Sequence, residues 1–536
     1  MPRMTRLFLF LAAMLGLASA AFGQTALSQS ALDDVRAMVE AAPSEYGLVV
    51  AVTDRERMRL VATHGYADIA RKQPVTADTR FAIGSISKSF TAIALMQMAD
   101  EGRFDPDAPV ARYLPDFRPA PTFAPITGHS LLRHTSGLPN YLAHVASMRF
   151  LIKALDGFEP RYAPGAHFWY SNSGYQLLGY VAERIDGEPF PLILQRRVLG
   201  RLGMAATSPQ IDDRLRGRIA ASYARGPDGK FAEAPWFDYL SADGAVVSDA
   251  ADMGAYARML LARGDTPGGR LISAAAFDRF ATAGLDDYGY GVDVLEGGRV
   301  LAHSGSIAGF QAYLSAHVAD GFAVVFLGNG PIDKALRDRI VARLAGGEPQ
   351  TPQASAAWRD ANSFAGSFAG AGGRKLAFRA DVSGGLGLVE GDRTVPLARL
   401  GREAWGLYQT ATGPRAFLFF RDAAGAVTDM SDGAASYARQ GTPPVETPAA
   451  ALPLVGRYAA HGEEGPSVRV FARKGRLTFA YADASLATEL VEEAPGRFRF
   501  AEPAHAPEWL AFDTIIDGQA QRLIFSGVPL YRIDLP

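Results

Sequence analysis

The segment "YGLVVAVTDRERMRLVATHGYAD" (46–68) places two apolar runs on either side of the polar turn "DRER". It reads as a β-hairpin with strands near 47–53 and 58–64. Two strands cannot bury a sheet face by themselves, so this hairpin needs partners from elsewhere. They are far away in the chain. Residues 105 to 285 are mostly helical and loop-like, with turn signals such as "TSGLPN" (135–140). Only then do "YGYGVDVLE", "RVLAHSGS", "FQAYLSAHV" and "FAVVFLGN" follow one another, an antiparallel meander closed by tight turns. Helical spacing in "SALDDVRAMVE" (30–40) and "PIDKALRDRIVARLA" (331–345) flanks the two sets of strands. The reading is one α+β domain over 24–349, with a sheet assembled from both of its ends.

The remaining chain has a different texture. "GGEPQTPQAS" (346–355) and "GTPPVETPAAALP" (441–453) are linkers by composition. The stretches after them, 362–440 and 453–536, consist of short apolar strands and turns, and they begin alike, with "FAGSFAG" and "LVGRYAA". They are expected to be two small all-β domains, a weak internal repeat of barrels or sandwiches.

The first 23 residues, "MPRMTRLFLFLAAMLGLASAAFG", have basic residues, a short apolar core and small residues where a leader would be cut. They read as a secretory signal peptide, so a periplasmic or secreted protein with no stable membrane insertion after cleavage is expected. There are no cysteines, hence no disulfide or thiolate metal site. A formal net charge of −2 gives no reason to expect nucleic acid as a partner.

Three short patterns carry the candidate chemistry, and each occurs once. The first is Ser85-Ile86-Ser87-Lys88, where an apolar strand-like run meets a helix-compatible stretch reaching Glu101. Residues three apart at a helix start share a face, so the Ser85 hydroxyl and the Lys88 amine would lie side by side. A serine hydroxyl needs a group to take its proton before it becomes a good nucleophile. The Ser85 backbone N–H, at the helix N-terminus, could stabilise an oxyanion. Taken alone, the pattern also fits a capping serine beside a solvated lysine. The second pattern is Tyr170-Ser171-Asn172, just before another helix. A phenol near a cation can accept a proton, and Asn172 could orient Lys88 and a substrate amide. Tyr170 could equally sit in an aromatic core with Phe168 and Trp169. The third is His303-Ser304-Gly305 in the meander. Small residues there would let the Ser306 N–H approach a substrate oxygen, with His303 adding a polar contact. A plain strand histidine followed by a turn is the simpler alternative.

The order "SISK", "YSN", "HSG" resembles the motif set of serine β-lactamases and penicillin-binding proteins. The tyrosine form of the second motif is similar to class C β-lactamases and to their D,D-peptidase, D-aminopeptidase and esterase relatives. "LLRHTSGLPNY" (131–141) is similar to a segment common in that family. The resemblance covers roughly residues 30 to 346. The trailing domains make the layout closest to D-aminopeptidase, whose catalytic domain precedes two eight-stranded barrels. The resemblance implies Ser85 as acyl-enzyme nucleophile, Lys88 and Tyr170 as managers of its proton, and Asn172 as a substrate contact. It implies an oxyanion hole from the Ser85 and Ser306 amides beside Gly305. It also implies a barrel loop that reaches and narrows the cleft. One departure is informative: His303 stands where β-lactamases usually carry lysine. A mostly neutral histidine holds a β-lactam carboxylate less firmly.

The expectation is therefore an exported serine hydrolase acting on small D-amino-acid peptides or amides, with no cofactor and no metal. A carboxylesterase, a β-lactamase and a non-catalytic binding protein of the same fold are the alternatives, and a homo-oligomer stays open. There is no Gly-x-Ser-x-Gly elbow, no histidine pair at metal-ligand spacing and no phosphate loop in strand–helix context.

Overall fold

The computed structural model describes residues 27–140, 148–225, 231–347, 361–382, 384–401, 404–407, 415–432, 435–443, 448–460, 467–481 and 487–533. The proposed leader lies outside the described residues. Among those residues, no helix is long and apolar enough to cross a membrane.

The elements that position the site are α1 (Gln29–Glu40), β1 (Leu48–Asp54), β2 (Met58–His64), α2 (Ser87–Asp100), α3 (Asn172–Asp186), α4 (Ala250–Leu261), β3 (Asp293–Leu295), β4 (Val300–Ile307), β5 (Phe310–His317), β6 (Phe322–Gly328) and α5 (Lys334–Leu344). The six strands form one antiparallel sheet in the order β3-β4-β5-β6-β1-β2. The N-terminal hairpin finds its partner in β6, with Ala51 opposite Val325. The sheet is thus built from both ends of the domain, as its strand texture implied.

Strand alternation decides which residues face which layer. Val50, Val52, Val324 and Phe326 turn towards α1 and α5, packing on Val35, Val39, Leu336 and Ile340. Val49, Ala51, Val325 and Leu327 turn the other way, into the helical core with α2 and α4. Both faces are covered, which is why β1 and β6 read as unbroken apolar runs. Every residue of α2 from Ser87 to Met98 is buried. A helix apolar on all sides belongs inside a layered domain.

A short 3-10 turn, Gly84–Ile86, leads into α2 and carries Ser85. The backbone of β4 presses directly on this turn. A methyl group in place of the Gly305 hydrogen would lie 1.9 Å from the Ile83 carbonyl oxygen and 3.2 Å from the Ser85 nitrogen. On the other side, Gly84 adopts φ +51°, and a methyl group there would lie 2.6 Å from the Ser306 nitrogen. Only glycine fits at either point.

Two closed eight-stranded antiparallel barrels follow, from Gly366–Gly370 to Ser436–Arg439 and from Gly456–Ala459 to Val528–Arg532. The weak sequence repeat has a physical core. In each barrel an aromatic ring on the first strand, Phe368 or Tyr458, is faced by an arginine of the last, Arg439 or Arg532. The guanidinium fork then caps carbonyls of the entering segment: Ser363 and Ala365 in one barrel, Pro453 and Val455 in the other. The barrels meet through an ion pair between the half-buried Arg473 and the buried Asp429. The second barrel meets the hydrolase-like domain through Arg161–Glu493 and the stacked His167 and His505 rings, 4.4 Å apart.

Two stability outcomes follow from these contacts. Gly305→Ala forces the Ile83 carbonyl to move and should cost about 1–3 kcal/mol in urea unfolding. Arg532→Met removes a multi-bond clasp and should cost about 2 kcal/mol, seen as a lower midpoint for the second barrel.

Candidate active site

The three patterns separated along the chain converge at the edge where β4 meets the start of α2. Lys88 is fully buried, and its ammonium donates to Ser85 Oγ at 3.0 Å and to the Asp243 carbonyl at 2.9 Å. The 3-10 turn makes this pairing local, because residues three apart eclipse one another there. The other serines of the opening motif are occupied elsewhere. Ser87 Oγ accepts from the Val246 N–H, and Ser89 Oγ donates to the Ile86 carbonyl while accepting from Tyr256. Ser85 alone among the three faces the cleft.

That cleft encloses about 490 Å³, and its wall includes Ser85, Tyr170, Tyr288, His303, Gly305 and Ser306. The Lys88 ammonium sits 4.9 Å from the centroid of the Tyr170 ring, facing its π system. Among the described residues, no hydrogen bond joins the Tyr170 hydroxyl to Ser85 or Lys88. The close approach of β4 packs the Ser306 backbone on Gly84 and the Gly305 backbone on Ile83 and Ser85, and both Ser85 and Ser306 line the cleft.

His303 is buried on β4. Its Nδ1 lies 2.5 Å from the Ser304 carbonyl, which can only accept, so Nδ1 carries the proton. Nε2 then accepts from the Tyr288 hydroxyl at 3.0 Å. Burial, and secondarily the Lys88 charge, push the imidazole down to about 4. It is neutral at physiological pH.

Asn172 is placed differently from expectation. It is the first residue of α3, behind the Ser171 cap, and it does not line the cleft. Its backbone N–H donates to Asn140 Oδ1 at 3.0 Å, and its own Oδ1 has no partner among the described residues. The second hydrogen-bond acceptor at the Lys88 ammonium is the Asp243 carbonyl. A main-chain acceptor carries no side-chain signature, so the sequence offered no way to find it. Asp243 is fixed in turn by Tyr239 and Ser241, which donate to its carboxylate.

Two further residues escaped the sequence reading. His134, within "LLRHTSG", is fully buried at φ +56°, with its ring 4.1 Å from that of Tyr170. Its Nδ1 accepts the Ser171 N–H at 3.0 Å, which leaves the proton on Nε2. Burial, then the Lys88 charge, hold it well below the ordinary imidazole range. Asp293, at the start of β3, lines the cleft with Asp286. Burial, with repulsion from Asp286, lifts its carboxyl to about 6. The motif order drew attention to β4 and away from β3, where an isolated aspartate looks like a surface residue.

Among the described residues, a loop of the second barrel reaches the segment that carries Tyr170. Residues 501–508 of the second barrel pack on Trp169 and Arg161, and none of them lines the cleft. Among the described residues there is no cluster of three metal-ligating side chains.

Residues 35–348 match the family model described as Beta-lactamase. Among curated relatives, penicillin-binding protein 4* of Bacillus subtilis is 26% identical over 305 residues, 52% of this chain and 66% of that protein. Penicillin-binding protein 4 of Amycolatopsis lactamdurans is 30% identical over 298 residues, 51% of this chain and 78% of that protein. A β-lactamase of Escherichia coli is 33% identical over 166 residues, 31% of this chain and 44% of that protein. The matched stretches thus span less than two thirds of the first and third of these relatives. Of solved structures, the octameric penicillin-binding protein homologue from Pyrococcus abyssi shares the fold at a TM-score of 0.53 and 23% identity, covering 73% of this chain and 95% of its own. The β-lactamase/D-alanine carboxypeptidase from Pseudomonas syringae does so at 0.51 and 22%, covering 59% and 99%. With its family model matched over more than half of its length, this chain belongs to the beta-lactamase family of serine hydrolases.

Proposed function

We propose that the protein is an exported serine hydrolase that cleaves amide or ester bonds of small D-amino-acid derivatives through an acyl-enzyme. The observation that carries this reading is the 3.0 Å hydrogen bond between a fully buried lysine ammonium and the hydroxyl of Ser85. A structural lysine would reach solvent or a carboxylate. Export is supported by the basic and then apolar first 23 residues.

In this reading Ser85 Oγ attacks the substrate carbonyl carbon, forming the C–O bond, while the serine proton passes to the oxygen of Tyr170 acting in its phenolate form. The Lys88 ammonium favours negative charge on the oxygens around it. The carbonyl oxygen, now anionic, is held by the Ser85 and Ser306 amides. Collapse breaks the bond to the leaving group, which takes the proton back. Water then adds to the acyl-enzyme along the same route and releases the acid.

The cleft wall favours a cationic substrate. Asp286 and Asp293 both line it, so a substrate ammonium would meet two carboxylates. Neutral His303 offers no charge to a β-lactam carboxylate. Arg337 also reaches the wall, but Asp338 lies 3.0 Å from its guanidinium and Tyr313 is stacked beneath it. These features support amides bearing a free α-amine.

Two outcomes test the reading. After treatment with a fluorophosphonate, intact mass should show one adduct on the parent and none on Ser85→Ala. Equal behaviour of the two towards every substrate would mark a non-catalytic binding protein. With D-alanine p-nitroanilide, the Asp293 carboxyl is ionised above about pH 6 and neutral below it. Specificity, kcat/KM, should therefore fall as pH drops through about 6. Asp293→Asn should remove that limb and raise KM about tenfold for the free amine. An N-acetylated analogue should be indifferent to the substitution.

A further inference from the structure

Glu508 lies on the loop between the barrel strands Arg497–Phe500 and Trp509–Ile516, yet its side chain is spent on the hydrolase domain. It is 1% exposed. Its Oε1 accepts from the Trp169 indole N–H at 2.9 Å and from the Asn140 backbone N–H at 3.2 Å. Its Oε2 is buried with no partner among the described residues. Burial raises this carboxyl to about 7, against the opposing pull of its hydrogen-bond donors. A carboxyl placed so deep, half satisfied, is a costly way to hold two domains together. The other contacts already do that. Arg161 pairs with Glu493 and donates to the Ala504 carbonyl, and His167 stacks on His505.

What Glu508 holds is the segment that presents Tyr170. Trp169 precedes Tyr170 directly. Asn140 carries the constraint to its other side, since Asn140 Oδ1 accepts from the Asn172 N–H at 3.0 Å. The remaining ties of this segment belong to the hydrolase domain itself: Trp169 N–H to the His134 carbonyl at 2.7 Å, Ser171 N–H to His134 Nδ1, and Ser171 Oγ to the Pro139 carbonyl at 3.0 Å. Tyr170 is therefore bracketed by a direct tie from Trp169 to Glu508 Oε1 and by an indirect one from Asn172 through Asn140, whose backbone N–H donates to the same oxygen.

We infer that Glu508 of the second barrel is a positioning residue for Tyr170, acting through Trp169 and Asn140. This rests on the serine-hydrolase reading above. It gives the second barrel a task in the chemistry without placing any of its atoms in the cleft. A proton acceptor displaced by about 1 Å can lose on the order of 100-fold in rate while substrate binding is untouched.

The test uses the full chain, with the rate of fluorophosphonate labelling and the turnover of D-alanine p-nitroanilide as readouts. Glu508→Ala should lower labelling and kcat at least about tenfold, with KM within about threefold of the parent. Glu508→Gln keeps an acceptor oxygen and should recover to within about threefold of the parent. Trp169→Phe removes the indole donor and leaves the barrel loop intact. It should reproduce the loss, and combining it with Glu508→Ala should add little. Parent-like kcat in Glu508→Ala, a loss that Glu508→Gln does not repair, or parent-like kcat in Trp169→Phe would overturn the inference. Failure of the parent to label, or labelling of Ser85→Ala to the same extent, would instead sink the underlying hydrolase reading.

Discussion

A lysine ammonium with no solvent access rests on two oxygen atoms, the hydroxyl of Ser85 and the carbonyl of Asp243, and the rest of the site is arranged around that fact. Burying a cation is costly unless each donor finds an acceptor. Here one acceptor is a backbone atom locked by its own side-chain network, and the other is the group that chemistry would use. The same charge reaches outward. It lies against the Tyr170 ring, and it helps keep both His134 and His303 neutral. Neutral histidines can then serve as fixed donors and acceptors. His134 anchors the Tyr170 segment, and His303 clasps the Ser304 carbonyl and Tyr288.

Much of this could be read before any coordinates. The spacing of Ser85 and Lys88 implied side-by-side groups, and the turn that carries them delivers that pairing. The hairpin at 47–64 demanded distant partners and found them in β6. The similar openings of the two trailing domains, "FAGSFAG" and "LVGRYAA", contain Phe368 and Tyr458, which the structure shows packing alike. These features were legible because they follow from local periodicity and residue type.

What was not legible depended on the backbone or on long-range approach. The Asp243 carbonyl at Lys88 left no trace in the sequence because any residue type offers a carbonyl. The Asn172 backbone N–H is taken up by Asn140 Oδ1, from a segment 32 residues earlier in the chain. The steric need for glycine at 305 appears only when Ile83 arrives beside it. Glu508 lies 339 residues from Trp169 along the chain, and nothing in its local sequence separates it from any other loop carboxylate.

The close packing of β4 on the turn before α2 also sets the geometry that matters most. It brings the backbone of Ser306 against the turn that carries Ser85, and in the proposed mechanism the amides of these two residues bind one oxygen. The most direct measurement is therefore a crystal structure of the protein after reaction with a fluorophosphonate. The account predicts phosphorus bonded to Ser85 Oγ, with its free oxygen about 3 Å from both amide nitrogens. An adduct on any other residue, or an oxygen turned away from both amides, would contradict it.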